Sequence, residues 1–283
     1  MFDAGNSCFL VLLSVVMLYP FVHILFASIS DGYLLMAHTG LMWRPLGFSL
    51  GAYQKVWENP MIVRGYLNTL FIVIVGTGFN LVMTAMGAYV LSRKNVYWQK
   101  VMMVAIVATM FFNGGLVPFY LLVMGLGLYN SLWSVIVAFA INAYNLIIMR
   151  TYFHAIPDSL EESARIDGAN DFTILLRVIL PVATPVIATI GLFYGVSRWN
   201  GWFYTMIFLK DRVKYPIALI LREILVLGSM EDMMKGQNLR DKEAIAETIK
   251  YATTVVATVP ILFVYPFLQK YFVKGALLGS LKE

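Results

Sequence analysis

Pro157-Asp158-Ser159-Leu160-Glu161-Glu162-Ser163-Ala164-Arg165-Ile166-Asp167-Gly168-Ala169, running on to Val178-Ile179-Leu180-Pro181, separates two long apolar stretches near the middle of the chain. Pro157-Asp158-Ser159 reads as a helix start. Asp158 or Ser159 can cap orphan amides, and Glu161 or Glu162 follows about three residues later, as in a capping box. Gly168 stops that helix, since only glycine adopts the left-handed end conformation cheaply. Asp171 can cap a second short helix through Ile179, and Pro181 opens the next apolar segment. The stretch therefore reads as helix, glycine bend, helix: a rigid polar peg between apolar spans.

Composition places those spans in a membrane. Hydrophobic residues make up 60% and charged residues 13% of the 283, with a mean hydropathy of +0.75; soluble domains run at roughly 45–50% and about 25%. A helix needs about 20 apolar residues to cross the hydrocarbon core. Six stretches qualify, at about residues 8–29, 67–91, 101–123, 132–149, 182–209 and 251–268. The first four and the last carry no Asp, Glu, Lys or Arg, and 182–209 carries only Arg198. The expectation is an all-α integral membrane protein: one transmembrane domain over 1–283, with six transmembrane helices and the polar loop 150–181 between spans 4 and 5.

The first span lies too near the start, and lacks the basic flank, to read as a cleavable signal, so it is expected to be retained. The single cysteine excludes an internal disulfide, and His23, His38 and His154 stand apart without ligand spacing, so no metal is expected. Ser92–Lys100 carries Arg93, Lys94 and Lys100 and no acid, whereas Met124–Ser131 is uncharged. The positive-inside rule then puts Ser92–Lys100, the loop 150–181 and both termini in the cytoplasm. Lys210–Lys250 is basic on the opposite side, but it is long and also acidic, so it weighs little in that rule. Within it Ile217–Leu225 reads as an interfacial helix and Gly228–Asp241 as a projecting loop.

The absences narrow the function. There is no G-x-x-x-x-G-K-[ST] loop to cradle phosphates, no H-E-x-x-H and no G-x-S-x-G. No enzyme activity is expected of this chain, and its energy must come from a partner.

Glu162-Ser163-Ala164, Gly168, Val178 and Leu180-Pro181 resemble the EAA loop of permease subunits in ATP-binding-cassette importers, with Ser163 and Val178 as small departures. Tyr19-Pro20, Asn68-Thr69, Asn113-Gly114-Gly115-Leu116-Val117-Pro118, Arg198-Trp199-Asn200 and Tyr265-Pro266-Phe267-Leu268-Gln269-Lys270-Tyr271-Phe272 extend the resemblance to the carbohydrate-uptake permeases. Within these the chain is similar to the G-type subunit of maltose-permease-like systems, in the subgroup importing oligosaccharides from polysaccharide breakdown. The resemblance implies a bacterial inner-membrane location, a second and different permease subunit, a dimeric cytoplasmic ATPase that holds ATP and Mg, and an extracytoplasmic solute-binding protein. No cofactor in this chain and no nucleic-acid partner are implied. The ATPase would grip Leu160, Glu161, Glu162, Ser163, Ala164, Ile166, Asp167, Gly168 and Ala169; Glu162 would pair with a basic residue of that partner, and Leu160 and Ile166 would supply the apolar contact. In maltose-type systems the element resembling Gly228–Asp241 reaches into the binding protein.

A sugar path needs amides for hydroxyls and flat rings for C–H faces. Asn142 and Asn145 share a helical face, Tyr144 lies nearby, and Tyr194, Arg198, Trp199 and Asn200 mark the fifth span. Alternatively, asparagines glue helices together and aromatics form the interfacial belt. Gly191 and Gly195 form a GxxxG pair suited to close packing. Arg198 lies roughly 24 Å along a core about 30 Å thick, where it can snorkel outward or turn inward. If it faces the cavity, it suits bidentate capture of a carboxylate and hence an acidic, uronate-type cargo. Two other function classes remain. An ion-driven secondary transporter would place acids inside spans, and none lies there; a non-transporting scaffold has no use for the peg.

Overall fold

The computed structural model describes residues 2–226, 246–263 and 266. The described residues are helical and contain no strand. The chain forms two compact units, one from residues 1–66 and 217–262, the other from 67–216 and 263–283. The projecting loop expected at Gly228–Asp241 and the basic tail with Lys270, Lys274 and Lys282 lie outside the described residues.

In the first unit, α1 (Phe2–Ser28) keeps most of its apolar side chains exposed from Phe9 to Leu25, as a helix facing lipid or another membrane subunit must. Asp31 caps α2 (Gly32–Ala37) by accepting from the Tyr33 and Leu34 amides at 3.0 and 3.3 Å. Then come α3 (Gly51–Glu58) and the start of α4 (Pro60–Ser92). A small core of Ala27, Leu35 and Met42, flanked by Leu46 and Tyr251, holds this unit together.

The rest of α4 enters the second unit, followed by α5 (Gln99–Phe111), α6 (Leu116–Gly125), α7 (Leu132–Val137), α8 (Ala143–His154), α9 (Asp158–Ile166), α10 (Asp171–Val182), α11 (Thr184–Trp199) and α12 (Phe203–Phe208). The first unit also holds α13 (Ile217–Val226) and, as far as residue 262, α14 (residues 246–263).

Asp3–Ser28 and Pro60–Ser92 are each long and apolar enough to cross a membrane. Three other expected spans are interrupted, and the sixth, 251–268, runs in one helix to residue 263, its end lying largely outside the described residues. Within 101–123, helix α5 gives way to α6 through a 116° bend at Asn113-Gly114-Gly115. There Gly115 has φ +86°, and its amide donates to the Asn113 side-chain oxygen at 2.9 Å. The stretch 132–149 breaks between α7 and α8 at residues 138–142. The stretch 182–209 breaks at Ala183, with an 86° bend, and again at 200–202. Counting each bent pair as one crossing gives up to four among the described helices.

Candidate functional site

Two places in the second unit hold the residues singled out by sequence. The first is the polar loop. Its helix α9 ends as the glycine foretold: Gly168 has φ +83°, its amide donates to Arg165 O at 3.0 Å, and Ala169 N donates to Ala164 O at 2.9 Å. This pair of bonds satisfies the carbonyls left over at the helix end. The start differs from the capping-box expectation. Pro157 occupies the cap position without a side-chain bond. Asp158 lies inside the first turn, and its carboxylate accepts from Lys94 at 2.8 Å; that hydrogen bond and charge hold Asp158 below the usual carboxylate range. Asn170, not Asp171, caps the next helix, its oxygen accepting from Thr173 N at 2.9 Å.

Helix α10 widens into a π turn at Leu175–Ile179, where Leu180 N donates to Leu175 O. Pro181, with no N–H to offer, follows directly, and such wide turns relieve a helix ahead of a residue that cannot bond. The long apolar helix therefore opens not at Pro181 but at Thr184, with Pro185 in its first turn.

Within the loop the nine nominated residues divide. Leu160, Glu162, Ser163, Ile166, Asp167 and Gly168 are exposed, Ile166 at 86%. Ala164 and Ala169 are half-buried against the core that contains Phe153, Ile174 and Leu175. Glu161 departs from expectation: it is buried, bonded to Arg93 through one oxygen and to Arg165 at 2.8 Å through the other. Arg165 also reaches Asp171, and these two acids raise its pKa.

The second place is a cavity of about 670 Å³ lined by α4, α7, α8, α11, α12 and the breaks between helices. Of the seven nominated path residues, Asn142, Tyr144, Asn145, Tyr194, Arg198 and Asn200 line it; Trp199 does not. Their roles divide again. The Asn142 side chain caps α8, accepting from Asn145 N at 3.1 Å. Tyr194 is braced, its hydroxyl 2.7 Å from Thr84 Oγ1 and accepting from Asn142 N at 3.0 Å. Asn145 is buried and is among the residues lining the cavity. Sequence reading missed Asn80 and the ring wall of Phe139, Phe203 and Tyr204. Phe139 and Tyr204 stand 4.6 Å apart by ring centroids. Asn80 had a signal, an amide inside an apolar run, whereas the rings looked like any membrane aromatics.

Arg198 does not present a free fork to the cavity. Its guanidinium donates to Val135 O, to Ile136 O at 3.1 Å, to Phe139 O at 3.2 Å and to Asn80 Oδ1 at 3.0 Å. It thus caps the carbonyl end of α7, where the helix dipole and unpaired C=O groups concentrate negative charge. The expected glycine packing is present: a Cβ on Gly191 would come within 3.3 Å of Leu81, and one on Gly195 within 3.8 Å of Thr77.

The model of the family described as "Binding-protein-dependent transport system inner membrane component" matches residues 4–277. The chain belongs to this family. It is thus a multi-pass membrane permease subunit of an ATP-binding-cassette importer and not an enzyme; the ATPase is a separate subunit. Among curated relatives, the polygalacturonan/rhamnogalacturonan transport system permease protein YtcP of Bacillus subtilis (strain 168) is 40% identical, with 100% of this chain and 98% of the relative covered. Protein LplC of the same organism is 37% identical over 99% and 95%. A chain from the crystal structure of a bacterial ABC transporter involved in the import of the acidic polysaccharide alginate superposes with a TM-score of 0.87, at 35% identity and 96% coverage of both.

Proposed function

We propose that this permease carries an acidic oligosaccharide, released by polysaccharide breakdown, into the cytoplasm. The observation that carries the reading is the cavity: six side chains chosen for sugar chemistry converge on one space, faced by the Phe139, Phe203 and Tyr204 rings. Rings cover C–H faces of a pyranose, and the Asn145 amide matches its hydroxyls. Among the described residues no Asp or Glu lines the cavity. The one formal charge among the described lining residues is Arg198, whose partners are carbonyl and amide oxygens, not carboxylates. The space therefore carries net positive character and attracts an anionic sugar through its field, not through a direct fork. The relatives named for galacturonan and alginate transport support the acidic class.

The permease works as six spans with both termini and the loop 150–181 in the cytoplasm, beside a second, different permease. A dimeric ATPase supplied with ATP and Mg grips the exposed face of α9: Ile166 and Leu160 seat in an apolar groove and Glu162 meets a basic residue. An external binding protein delivers the sugar. The test is uptake into proteoliposomes holding the full complex, comparing uronate oligomers with neutral oligomers of equal length. ATP-dependent uptake of the uronates, weakened by Asn145→Ala and Tyr204→Ala with assembly intact, is the expected result. Preference for the neutral sugar would overturn the acidic assignment.

A further inference from the structure

The buried ion pair between Arg93 and Glu161 joins the ATPase-facing loop to the helix that walls the cavity. Both side chains are about nine-tenths covered, at 10% and 11% exposure. Arg93 stands immediately after α4 and is held on every side. Its guanidinium donates to Glu161, to Phe153 O at 3.2 Å and, through Nε, to Ser92 Oγ at 3.0 Å, and it lies 5.0 Å from the Tyr89 ring centroid. Glu161 is in turn tied to Arg165, and Arg165 to Asp171, so one chain of charges runs from the end of α4 through α9 into α10.

Helix α4 carries that connection inward. Ala85, Ala88 and Tyr89 sit in the same core as Ile174 and Leu175 of α10 and Tyr194 of α11. Further along, Thr84 holds the Tyr194 hydroxyl and Asn80 holds Arg198 and Phe139 O. From Ser92 to Asn80 is about 18 Å of continuous helix at about 1.5 Å per residue. A buried charge pair resists sliding, because separating it leaves each ion uncompensated in a medium that solvates it poorly.

We propose that Arg93 is a positioning residue for coupling: through Glu161 it makes the loop and α4 move together, so that displacement of the loop by the ATPase reaches the Asn80 and Tyr194 side of the cavity. This rests on the reading of α9 as the ATPase-gripping element. In it Glu161 is an inward anchor and Glu162 the outward contact, two adjacent acids with separate duties.

The measurement is sugar taken up per ATP hydrolysed in proteoliposomes holding the full complex. Arg93→Met combined with Glu161→Met removes both charges while keeping volume, a replacement that buried pairs often tolerate without loss of stability. The pair of substitutions is expected to leave assembly, thermal midpoint and ATP hydrolysis near those of the parent while uptake per ATP falls at least about fivefold. An unchanged ratio overturns the proposal. Should that variant fail to assemble, Arg93→Lys keeps the charge but loses the fork and the Phe153 carbonyl bond. It is expected to assemble with a reduced ratio, and a parental ratio there overturns the proposal equally. If the unsubstituted complex itself shows no ATP-driven uptake of any sugar, the proposed function fails instead, and the two failures are distinct.

Discussion

Arg198 and Asn80 share one acceptor: the Arg198 guanidinium and the Asn80 side-chain amide both donate to the Phe139 carbonyl, at 3.2 and 3.0 Å, while Asn80 Oδ1 accepts from Arg198 at 3.0 Å. This triangle closes the break between α7 and α8. In lipid a broken helix survives only where its freed carbonyls find donors within the protein. Arg198 supplies several at once, from a side chain that cannot shed its charge easily. The charge that the sequence offered as a carboxylate receptor is spent mainly on the scaffold.

Arg198→Gln is therefore expected to lower the thermal midpoint in detergent and to depress uptake of acidic and neutral oligosaccharides alike through the damaged scaffold, with a further loss for the acidic ones as the field disappears. Each buried carbonyl left without a donor costs about 1–3 kcal/mol in water-soluble proteins, and an interhelical hydrogen bond inside membranes contributes about 0.6 kcal/mol on average. Asn80→Ala should reproduce part of the loss. A selective defect for the acidic sugar, with an unchanged midpoint, would show that the guanidinium reads the cargo directly.

Legibility in the sequence followed the reach of the interaction. Gly168 was readable because its constraint is local: one residue past a helix must take a left-handed conformation, and the φ of +83° bears this out. The convergence of Asn142, Asn145, Tyr194 and Asn200 was readable because polar side chains on apolar helices have few places to go. Glu161 was misread as an outward contact because its partner Arg93 lies 68 positions away, and no periodicity links them. The breaks at Ala183 and at 138–142 were invisible to hydropathy, which reports how apolar a stretch is and not whether it stays straight.

Gly168 gives a clean test of backbone conformation. A Cβ built there meets nothing within 4 Å, so a substitution acts through φ alone. Gly168→Val should cost about 1–2 kcal/mol at the bend and displace the exposed face of α9. Gly168→Asn, which tolerates this region, should cost less. Stimulation of ATPase activity by the sugar-loaded binding protein is expected to fall for Val and largely persist for Asn. Equal stimulation in both variants, with normal assembly, would remove α9 from the coupling path.

Asp158 makes the pH response of the loop predictable in sign. Its hydrogen bond to Lys94 and that residue's charge hold its pKa below the ordinary value. Its stabilising contribution is thus present above the unfolded carboxylate pKa of about 3.9 and is lost as pH falls through the lower folded value. The difference in thermal midpoint between the parent and Asp158→Asn should be flat from about pH 5 to pH 8 and close below about pH 4. The pair is exposed, so the plateau should be small and should shrink in high salt. A difference that instead grew on acidification would contradict the pairing.

Gly65, in the first unit, tests packing rather than conformation. A Cβ on it would lie 2.5 Å from Ile220 Cδ1 and 3.4 Å from the Ile217 backbone, and both isoleucines are buried. Gly65→Ala should therefore overpack this contact between α4 and α13 and cost about 1–3 kcal/mol. Ile220→Val deletes the offending methyl, at about 0.5–1.5 kcal/mol by itself. Because one change makes room for the other, the double variant should be more stable than the sum of the two losses by about 1 kcal/mol, read as thermal midpoints of the purified complex. Strict additivity would mean that the strain is taken up by the Ile217 backbone, and then Ile220→Val would offer no relief.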